Sequence, residues 1–521
     1  MRRTAPSDLL VQWLLAGLCL SILACGFAGA GSFQEVYGSQ AWESPSAGAN
    51  KREVLLQAFG NSAWIGVGAT ALALLLGIPS GWALSRRRRS PLLLALCALP
   101  LALAPSVAVS GWLRWFAPPD VSSSFGAMAP GTLGPGALFT LPGVALVLGL
   151  GLWPIVALEA WPAFARARGE AYESALLAGS PARAFFRVVL PLARGEVAAG
   201  ALLVFLLAAG DFTVSSLLLV PTLPIQVYDK LALNLSASAA WTALPLALLA
   251  ALAALGLALA RPGRGNGSAL GWSSPEREAP PAAAALRSSR IGLLVLLLGL
   301  SAGFILPLAG CLTGACSGKK AFAEIFGAGL PALVVSLRLA GAAALAALVA
   351  GALRVACWPA NSAAPLSWTG LLLLAVPGSF LAAGLLSADL QRMEVCAGLG
   401  AAGEWLNRTA PGGLLLAFGY LLRFLYLPLR LADEGLRSLD PALLDAAELA
   451  GHSRFSRGLS VGLPLVWPHL LAAAGLVFVL SMGELPVSDR LAPPGAVPVS
   501  VWLFQEQHLG YSEAVFALRP R

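Results

Sequence analysis

The sequence is poor in charge and in the residues that build most catalytic and metal centres. Only 12% of its 521 residues are charged and only three are histidine, whereas 58% are hydrophobic. The seven cysteines show no paired spacing typical of a metal site. No paired carboxylates, Ser–His set or histidine cluster occur at a catalytic spacing. These scarcities argue against a soluble enzyme and against a metal-centred protein.

Long apolar runs are what the sequence has instead. Runs of about 18 or more apolar residues recur along the chain, as expected of membrane-spanning helices. They are rich in Ala, Leu and Gly, which let helices approach closely in lipid. Four consecutive arginines, residues 86–89, end one run and mark its cytoplasmic side. The net charge of +8 is better explained by arginines at cytoplasmic helix ends than by a nucleic-acid partner.

We predict an all-α polytopic membrane protein with eleven spans and a terminal stub. The first six spans are predicted at 9–30, 61–84, 92–115, 141–161, 197–220 and 239–260. Five more follow at 291–312, 330–350, 368–386, 413–431 and 468–485, and the stub lies at 513–518. Alternation of the spans, together with the arginines, puts the N-terminus in the cytoplasm.

A polar motif between the spans occurs twice, once in each half of the chain. The first copy reads Glu173-Ser174-Ala175, three residues, Gly179, and closes on Leu190-Pro191. The second reads Asp445-Ala446-Ala447, three residues, Gly451, and closes on Leu463-Pro464. The stretch from the glycine to the proline is longer by a single residue in the second copy. A long repeat of this kind predicts a duplicated fold.

The duplication extends beyond the motif and divides the chain. Gly210-Asp211-Phe212 matches Gly483-Glu484-Leu485, and a stretch rich in Gly, Pro, Ser and Ala separates the halves. We predict a first unit at 1–262, a cytoplasmic linker at 263–290 and a second unit at 291–521. The two units are expected to be parallel repeats of about six spans each. Carrying the offset to the end predicts that the last span of the second repeat is truncated.

Each motif is predicted to form a short helix, a turn and a second helix. In the second loop, about 436–467, Asp440 suits the N-cap and Pro441 the first helical position. Gly451 is expected to end this helix in the left-handed conformation. In the first loop, about 165–195, the helix starts near Gly169, and Gly179 is expected to end it in the same way.

The two motifs resemble the Glu-Ala-Ala-x-x-x-Gly signature of ATP-binding-cassette (ABC) importer permeases. The fused double form is similar to the ferric-iron and thiamine branch of that family. The resemblance implies that each loop is a coupling helix that docks into an ATPase subunit. The coupling residues are then Glu173, Ser174, Ala175, Gly179 and Pro191, with Asp445, Ala446, Ala447, Gly451 and Pro464.

The same resemblance implies the partners and the membrane. Two ABC ATPase subunits would bind ATP and Mg²⁺, an external solute-binding protein would deliver the solute, and the chain would lie in a bacterial-type plasma (inner) membrane. The chain itself is expected to bind no cofactor and no nucleic acid and to have no catalytic residue. Its nearest approach to a phosphate-binding loop, residues 314–320, has its glycines one residue too close and Lys320 in place of Ser or Thr.

Asp211 and Glu484 are predicted to line the translocation path, because ionisable side chains inside lipid usually face a cavity or a partner. Two carboxylates would favour a cationic or metal-bearing solute, and ferric iron is one candidate beside thiamine, polyamines or an anion. The other interpretation is that each acidic residue caps a helix distortion or pairs with a neighbour. A second functional class also stays open: an ion-gradient-driven secondary transporter can be built from two parallel six-span repeats.

Overall fold

The computed structural model is helical throughout the part of the chain that it describes, with no strand there. The described residues are 51–86, 91–116, 137–167, 170–233, 238–239, 241–249, 251, 283–315, 327, 329–357, 370–371, 373–374, 376–398, 412–493 and 495–508. The predicted all-α fold is confirmed for these residues. The predicted first span, most of the linker and the terminal stub lie outside them.

The helices in the first half of the chain are α1 (Lys51–Ser85), α2 (Pro91–Ala102), α3 (Pro105–Phe116), α4 (Leu141–Arg166), α5 (Glu170–Ala178), α6 (Pro181–Ala184), α7 (Leu190–Leu192), α8 (Arg194–Ala209), α9 (Thr213–Leu217) and α10 (Leu223–Ala232). Those in the second half are α11 (Ala283–Leu300), α12 (Leu306–Ala315), α13 (Leu330–Cys357), α14 (Gly378–Gly398), α15 (Gly412–Arg423), α16 (Tyr426–Ser438), α17 (Pro441–Leu449), α18 (Arg454–Arg457), α19 (Leu463–Gly483), α20 (Pro486–Leu491) and α21 (Val499–His508). Three five-residue π-helical segments, Phe185–Val189, Ser301–Ile305 and Gly458–Gly462, join neighbouring helices.

The helices group into two compact units. Unit A contains Phe59–Pro221, with most of α1, together with α11 and α12 from Leu252–Phe322. Unit B contains α10, from Thr222–Ala251, and the helices α13 to α21. Each unit therefore includes one segment from the other half of the sequence. The predicted boundaries at 262 and 290 follow the sequence repeat along the chain. The two compact units follow the contacts between helices and so group the helices differently.

Several described helices are long and apolar enough to cross a membrane, which indicates a membrane protein. Five meet that condition singly: α1, α4, the segment from α11 into α12, α13, and the segment from α18 through α19. Three bent pairs meet it jointly, with bends of 81° between α2 and α3, 74° at the start of α8 and 51° between α15 and α16. The described residues therefore supply five to eight candidate spans. The predicted span 9–30 lies wholly outside them, and the predicted spans 239–260 and 368–386 lie partly outside them.

The fifth predicted span is wrong in its extent. Helix α8 ends at Ala209, well before the predicted end at Val220. The physical reason is Asp211, whose carboxylate accepts hydrogen bonds from the backbone N–H groups of Val214 (2.8 Å) and Ser215 (3.2 Å). Those N–H groups belong to the first turn of α9, so Asp211 begins a new helix instead of continuing the old one.

In unit A, the segment α11–α12 packs through glycines that leave no room for a side chain. A Cβ atom at Gly303 would lie 2.2 Å from the carbonyl oxygen of Leu150 in α4, and one at Gly292 would lie 2.4 Å from that of Pro79 in α1. One at Gly310 would lie 2.3 Å from the carbonyl oxygen of Gly111 in α3. Backbones in lipid gain van der Waals contact by this close approach. The glycine content of this predicted span therefore serves helix packing.

In unit B, α13, α16 and α19 form a tightly packed group with a buried ion pair. Val466 and Leu470 of α19 are fully buried against Val355 of α13 and Leu436 of α16. Beside them, a guanidinium nitrogen of Arg354 lies 2.5 Å from a carboxylate oxygen of Asp433, and only 1% of the Arg354 side chain is exposed. A buried charge of this kind is tolerated only when it is paired, so the pair fixes the C-terminal end of α13 against α16.

Candidate functional site

The second motif loop begins as its sequence predicts. Asp440 is the N-cap of α17, and its carboxylate accepts a hydrogen bond from the N–H of Ala442 at 2.9 Å. Pro441 takes the first helical position, where the helix has no use for an N–H group. The predicted helix start is confirmed.

The same helix also ends as predicted. Gly451 has a φ of +82°, in the left-handed region. Its N–H donates to the carbonyl oxygen of Glu448 at 3.0 Å, and the N–H of His452 donates to that of Ala447 at 3.1 Å. This pair of bonds is the Schellman motif, which satisfies carbonyl groups that a helix end would otherwise leave free.

The first motif loop ends its helix differently from the prediction. Among the described glycines, only Gly451 and Gly495 have a positive φ, so the prediction that Gly179 acts like Gly451 is wrong. The next residue, Ser180, is extended, as expected before a proline, and its hydroxyl accepts a hydrogen bond from the N–H of Arg183 at 3.4 Å. Helix α6 therefore starts at once at Pro181, and the turn needs no left-handed residue.

Both loops continue into the same arrangement as far as the motif proline, and beyond it a 74° bend leads into α8 in the first copy whereas α19 continues unbroken for 21 residues in the second. The π-helical segments Phe185–Val189 and Gly458–Gly462 each lead into a helix whose second residue is the motif proline, Pro191 or Pro464. Helix α6 begins two residues after its glycine and α18 three residues after its own. The extra residue of the second copy is thus absorbed in the turn. The π segments were not predicted, and only the proline that follows each, which has no N–H to donate, marks their place in the sequence.

The motif side chains divide between an inner and an outer face. Ala447 is buried and Ala175 packs against the core of its unit, whereas Glu173, Ser174, Asp445 and Ala446 are exposed. One alanine of each motif therefore lies against the protein itself.

A leucine in each loop, absent from the predicted coupling residues, is the most exposed apolar side chain there. Leu177 is 92% exposed and Leu449 is 90% exposed, and the two occupy equivalent positions of the repeat. Their matching positions were visible in the sequence, but their exposure was not. Both leucines therefore lie on the exposed side of their loops.

In unit A, the first loop is held by aromatic side chains. Trp82 of α1 contacts Phe164 of α4, Tyr172 of α5 and Phe185 of the π segment, with ring centroids 6.0, 5.5 and 5.1 Å apart. The guanidinium of Arg86 lies 4.9 Å from the centre of the Trp82 ring and donates to the Tyr172 hydroxyl at 3.4 Å. Offset and edge-on ring contacts of this kind add to simple burial. The four aromatic residues join the loop to two candidate spans.

In unit B, the second loop is held by glycine contact and ion pairs. A Cβ atom at Gly458, which occupies the place of Phe185, would lie 2.6 Å from the Cα atom of Ala356 in α13. Within the loop, Arg457 and Glu448 form an ion pair at 2.6 Å. The π segment therefore lies directly on the end of α13, next to the buried pair that Arg354 makes.

The two acidic residues predicted to line the path both lie at helix breaks. Asp211 is in unit A, where it caps α9. Glu484 is in unit B, just after α19, where its carboxylate lies 3.8 Å from Nε of Arg423 and takes a backbone hydrogen bond from Val487. The cap from Asp211 to Val214 and the bond from Glu484 to Val487 are equivalent positions of the repeat. Each residue thus does what the alternative interpretation proposed, and whether either also meets a solute stays a prediction.

No protein-family model matches the chain. The resemblance to ABC importer permeases therefore depends on the two sequence motifs.

Proposed function

We propose that the chain is the membrane-spanning permease subunit of an ATP-driven ABC importer. The observation that carries the proposal is the matching pair of loops. Helices α5 and α17 each have nine residues, and each is followed by a four-residue helix, a five-residue π segment and a Leu-Pro step. The helix that continues the chain is α8, after a 74° bend, in the first copy and α19 itself in the second, and each ends just before an acidic residue. Each loop also presents an acidic residue and a leucine outward. A loop that merely joined two spans would have no reason to keep these features twice.

The number of spans and their orientation in the membrane are also part of this proposal. We infer two parallel permease repeats of about six spans each in a bacterial-type plasma membrane, with the N-terminus in the cytoplasm. The arginines at 86–89 and beside both loops support a cytoplasmic position for the loops, because Lys and Arg accumulate on that side. Two ATPase subunits, each holding ATP and Mg²⁺, would then dock on the two loops, and an external solute-binding protein would deliver the solute.

The loops are built to transmit motion. A force applied to α5 reaches α1 and α4 through Trp82, and a force applied to α17 reaches α13 and α16 through Gly458 and Leu436. Packed side chains of this density move together and do not deform independently. ATP-driven closure of the partner subunits would therefore displace whole spans, as alternating access requires.

A secondary transporter remains the competing class, and one contact argues against it. Such transporters often bind a coupling cation at the free carbonyl groups of a broken helix. In unit B, the carbonyl oxygens at the break before α14 accept hydrogen bonds from Arg423 instead. These carbonyl groups are therefore already paired with a cation of the protein itself.

Ferric iron stays one candidate for the solute. Glu484 adds little support for a cationic solute, because Arg423 already lies against its carboxylate. Asp211 offers the cleaner test. Asn is as good a helix cap as Asp, so Asp211→Asn removes the charge while keeping the start of α9. We expect uptake of radiolabelled ferric iron into vesicles to fall with this variant if the charge meets the solute. Unchanged uptake with stable protein would remove Asp211 from the path.

The main experiment tests docking through the exposed leucines. The tagged chain is purified from its own membrane, and bound ATPase is measured as ATP hydrolysis and by mass spectrometry. For L177E/L449E we expect retained ATPase to fall by about tenfold or more, as for loss of an interface hot spot, with the fold intact. Leu233, which is 62% exposed at the end of α10, provides the matched control L233E.

Two results would contradict the proposal. One is ATPase retention by L177E/L449E equal to that of L233E. The other is solute uptake that continues without ATP hydrolysis and follows an ion gradient, which would favour the secondary transporter.

A further inference from the structure

Three helix breaks in unit B meet at a single side chain. The first break precedes Gly378, where helical residues at 373–374 give way to α14 after Pro377. The second follows Arg423, the last residue of α15, where the axis bends by 51° into α16. The third is at Glu484, between α19 and α20. Broken helices leave backbone groups without intrahelical partners, and these must be satisfied inside the protein.

Arg423 connects all three breaks. Its guanidinium donates hydrogen bonds to the carbonyl oxygens of Leu373 (3.3 Å), Leu374 (2.7 Å) and Val376 at the first break. It belongs itself to the second break. Its Nε lies 3.8 Å from Oε1 of Glu484 at the third, and the two side chains are only 6% and 12% exposed.

Further polar contacts tie Glu484 to the helices that follow it. Its main-chain carbonyl oxygen accepts hydrogen bonds from the hydroxyls of Ser488 in α20 and Ser500 in α21, the latter at 3.0 Å. The hydroxyls of Ser488 and Tyr420 are 2.7 Å apart. A displacement at Glu484 is therefore passed to both α20 and α21.

The helices on either side of the second motif loop both end at this ion pair. Helix α16 runs for 13 residues, about 20 Å, from the break after Arg423 to the loop. Helix α19 runs for 21 residues from the loop back to Glu484. The two helices pack closely, because a Cβ atom at Gly435 would lie 2.4 Å from a methyl group of Val466. Together with α17 and α18 they form one body, which we call the lever.

We propose that Arg423 is the hinge residue on which this lever turns, so that displacement of α17 moves α20 and α21. The inference rests on the proposed function, since it is the ATPase that would displace α17. The 3.8 Å separation of Arg423 from Glu484 exceeds a hydrogen-bond length, so the attraction tolerates sliding that a hydrogen bond would not. Both charges are buried, and separating them would be costly. The pair thus stays together while the helices around it turn.

Unit A provides the contrast that makes this specific to unit B. The repeat places Gly151 at the position equivalent to Arg423, and Gly151 lies within the unbroken helix α4. The equivalent of Glu484 is Asp211, which caps α9. Unit A therefore forms this part of the repeat without a buried arginine. In unit B, the buried arginine occurs together with an additional helix break.

The test uses the chain with its co-purified ATPase and a pair of spin labels. With the seven native cysteines replaced by serine, labels are placed at Leu465→Cys on the lever and Val497→Cys between α20 and α21. The distance between them is measured by pulsed electron paramagnetic resonance with and without ATP plus vanadate. In the parent we expect a nucleotide-dependent shift of about 3–6 Å, typical of hinge motion.

Two hinge variants are compared in this background. R423Q/E484Q removes both charges and leaves no buried charge unpaired, and R423K keeps the charge but loses the planar fork that reaches several carbonyls. We expect both to keep ATP hydrolysis within about twofold and to lose half or more of the distance shift. R423K decides the question if the double variant folds poorly. An unchanged shift in the folded variants overturns the hinge, whereas absence of ATPase from the parent overturns the proposed function instead.

Discussion

The two motif loops have the same sequence of helices as far as the motif proline but are held in place by different chemistry. In unit A, Trp82 packs on Phe164, Tyr172 and Phe185. In unit B, the equivalent residue of the repeat is Arg354, and it forms a buried ion pair. Trp82 and Arg354 both lie three residues before the end of their helices, α1 and α13. The comparison teaches that the repeat preserves the order of the helices through the loop as far as the motif proline, while the side chains that hold the loop have diverged.

The comparison predicts the largest loss of stability when the buried ion pair of Arg354 and Asp433 is broken. Asp433→Ala leaves the Arg354 guanidinium buried without its carboxylate, and we expect a loss of about 3–5 kcal/mol in the free energy of unfolding. Thermal unfolding in detergent, followed by size-exclusion chromatography, measures it. The control is the exposed pair of Arg166 and Glu196, whose removal should cost under about 1 kcal/mol. Equal effects at the two pairs would contradict the assignment of the second loop to ion-pair anchoring.

A second variant tests the aromatic anchor in unit A. Trp82→Ala removes the ring at the centre of the cluster, and we expect a loss of about 3 kcal/mol, the lower end for truncation of a core tryptophan. Tyr172 should then become more accessible to chemical labelling, because its ring loses both Trp82 and the support of Arg86. Trp241, which is 74% exposed, gives the control W241A. Labelling of Tyr172 that is the same in W82A and W241A would show that the loop does not depend on the cluster.

The parts of the fold and of the candidate site that could be predicted from the sequence are those with a clear local sequence signal. Asp440, Pro441 and Gly451 define α17 through their own backbone preferences, and the structure confirms all three. The helical character of the apolar runs could also be predicted from the sequence, because it follows from their composition and length. The repeat indicated where to look for a second loop.

The sequence does not show which group an acidic side chain turns toward. The break at Asp211 depends on a carboxylate turning toward N–H groups ahead of it, which hydrophobicity does not reveal. The pairing of Glu484 with Arg423 joins residues on helices that are not neighbours in the sequence. That either residue lines a path stays a prediction, because an acidic residue in an apolar run looks the same in the sequence whether it faces a solute, a neighbour or both.

The glycines of the two motifs give the smallest and sharpest comparison. Gly451 has a φ of +82° and Gly179 does not have a positive φ, although the two glycines occupy the same position of the sequence motif. A side chain in the left-handed region costs about 1–2 kcal/mol, so we expect Gly451→Ala to loosen the end of α17, while Gly179→Ala changes stability by less than about 0.5 kcal/mol. Neither substitution meets a steric clash, since a Cβ atom at Gly451 has nothing within 4 Å and one at Gly179 only the Arg183 side chain at 3.5 Å.

Amide hydrogen exchange of the two loops separates these variants. Faster exchange confined to 447–453 in G451A, with 175–181 unchanged in G179A, is the expected result, because only the first variant disturbs the Schellman hydrogen bonds from Gly451 and His452. Equal acceleration in both loops would mean that Gly179 also depends on a glycine-only conformation. The motif glycine would then serve one structural role in both copies, and the difference between the two turns would have no consequence.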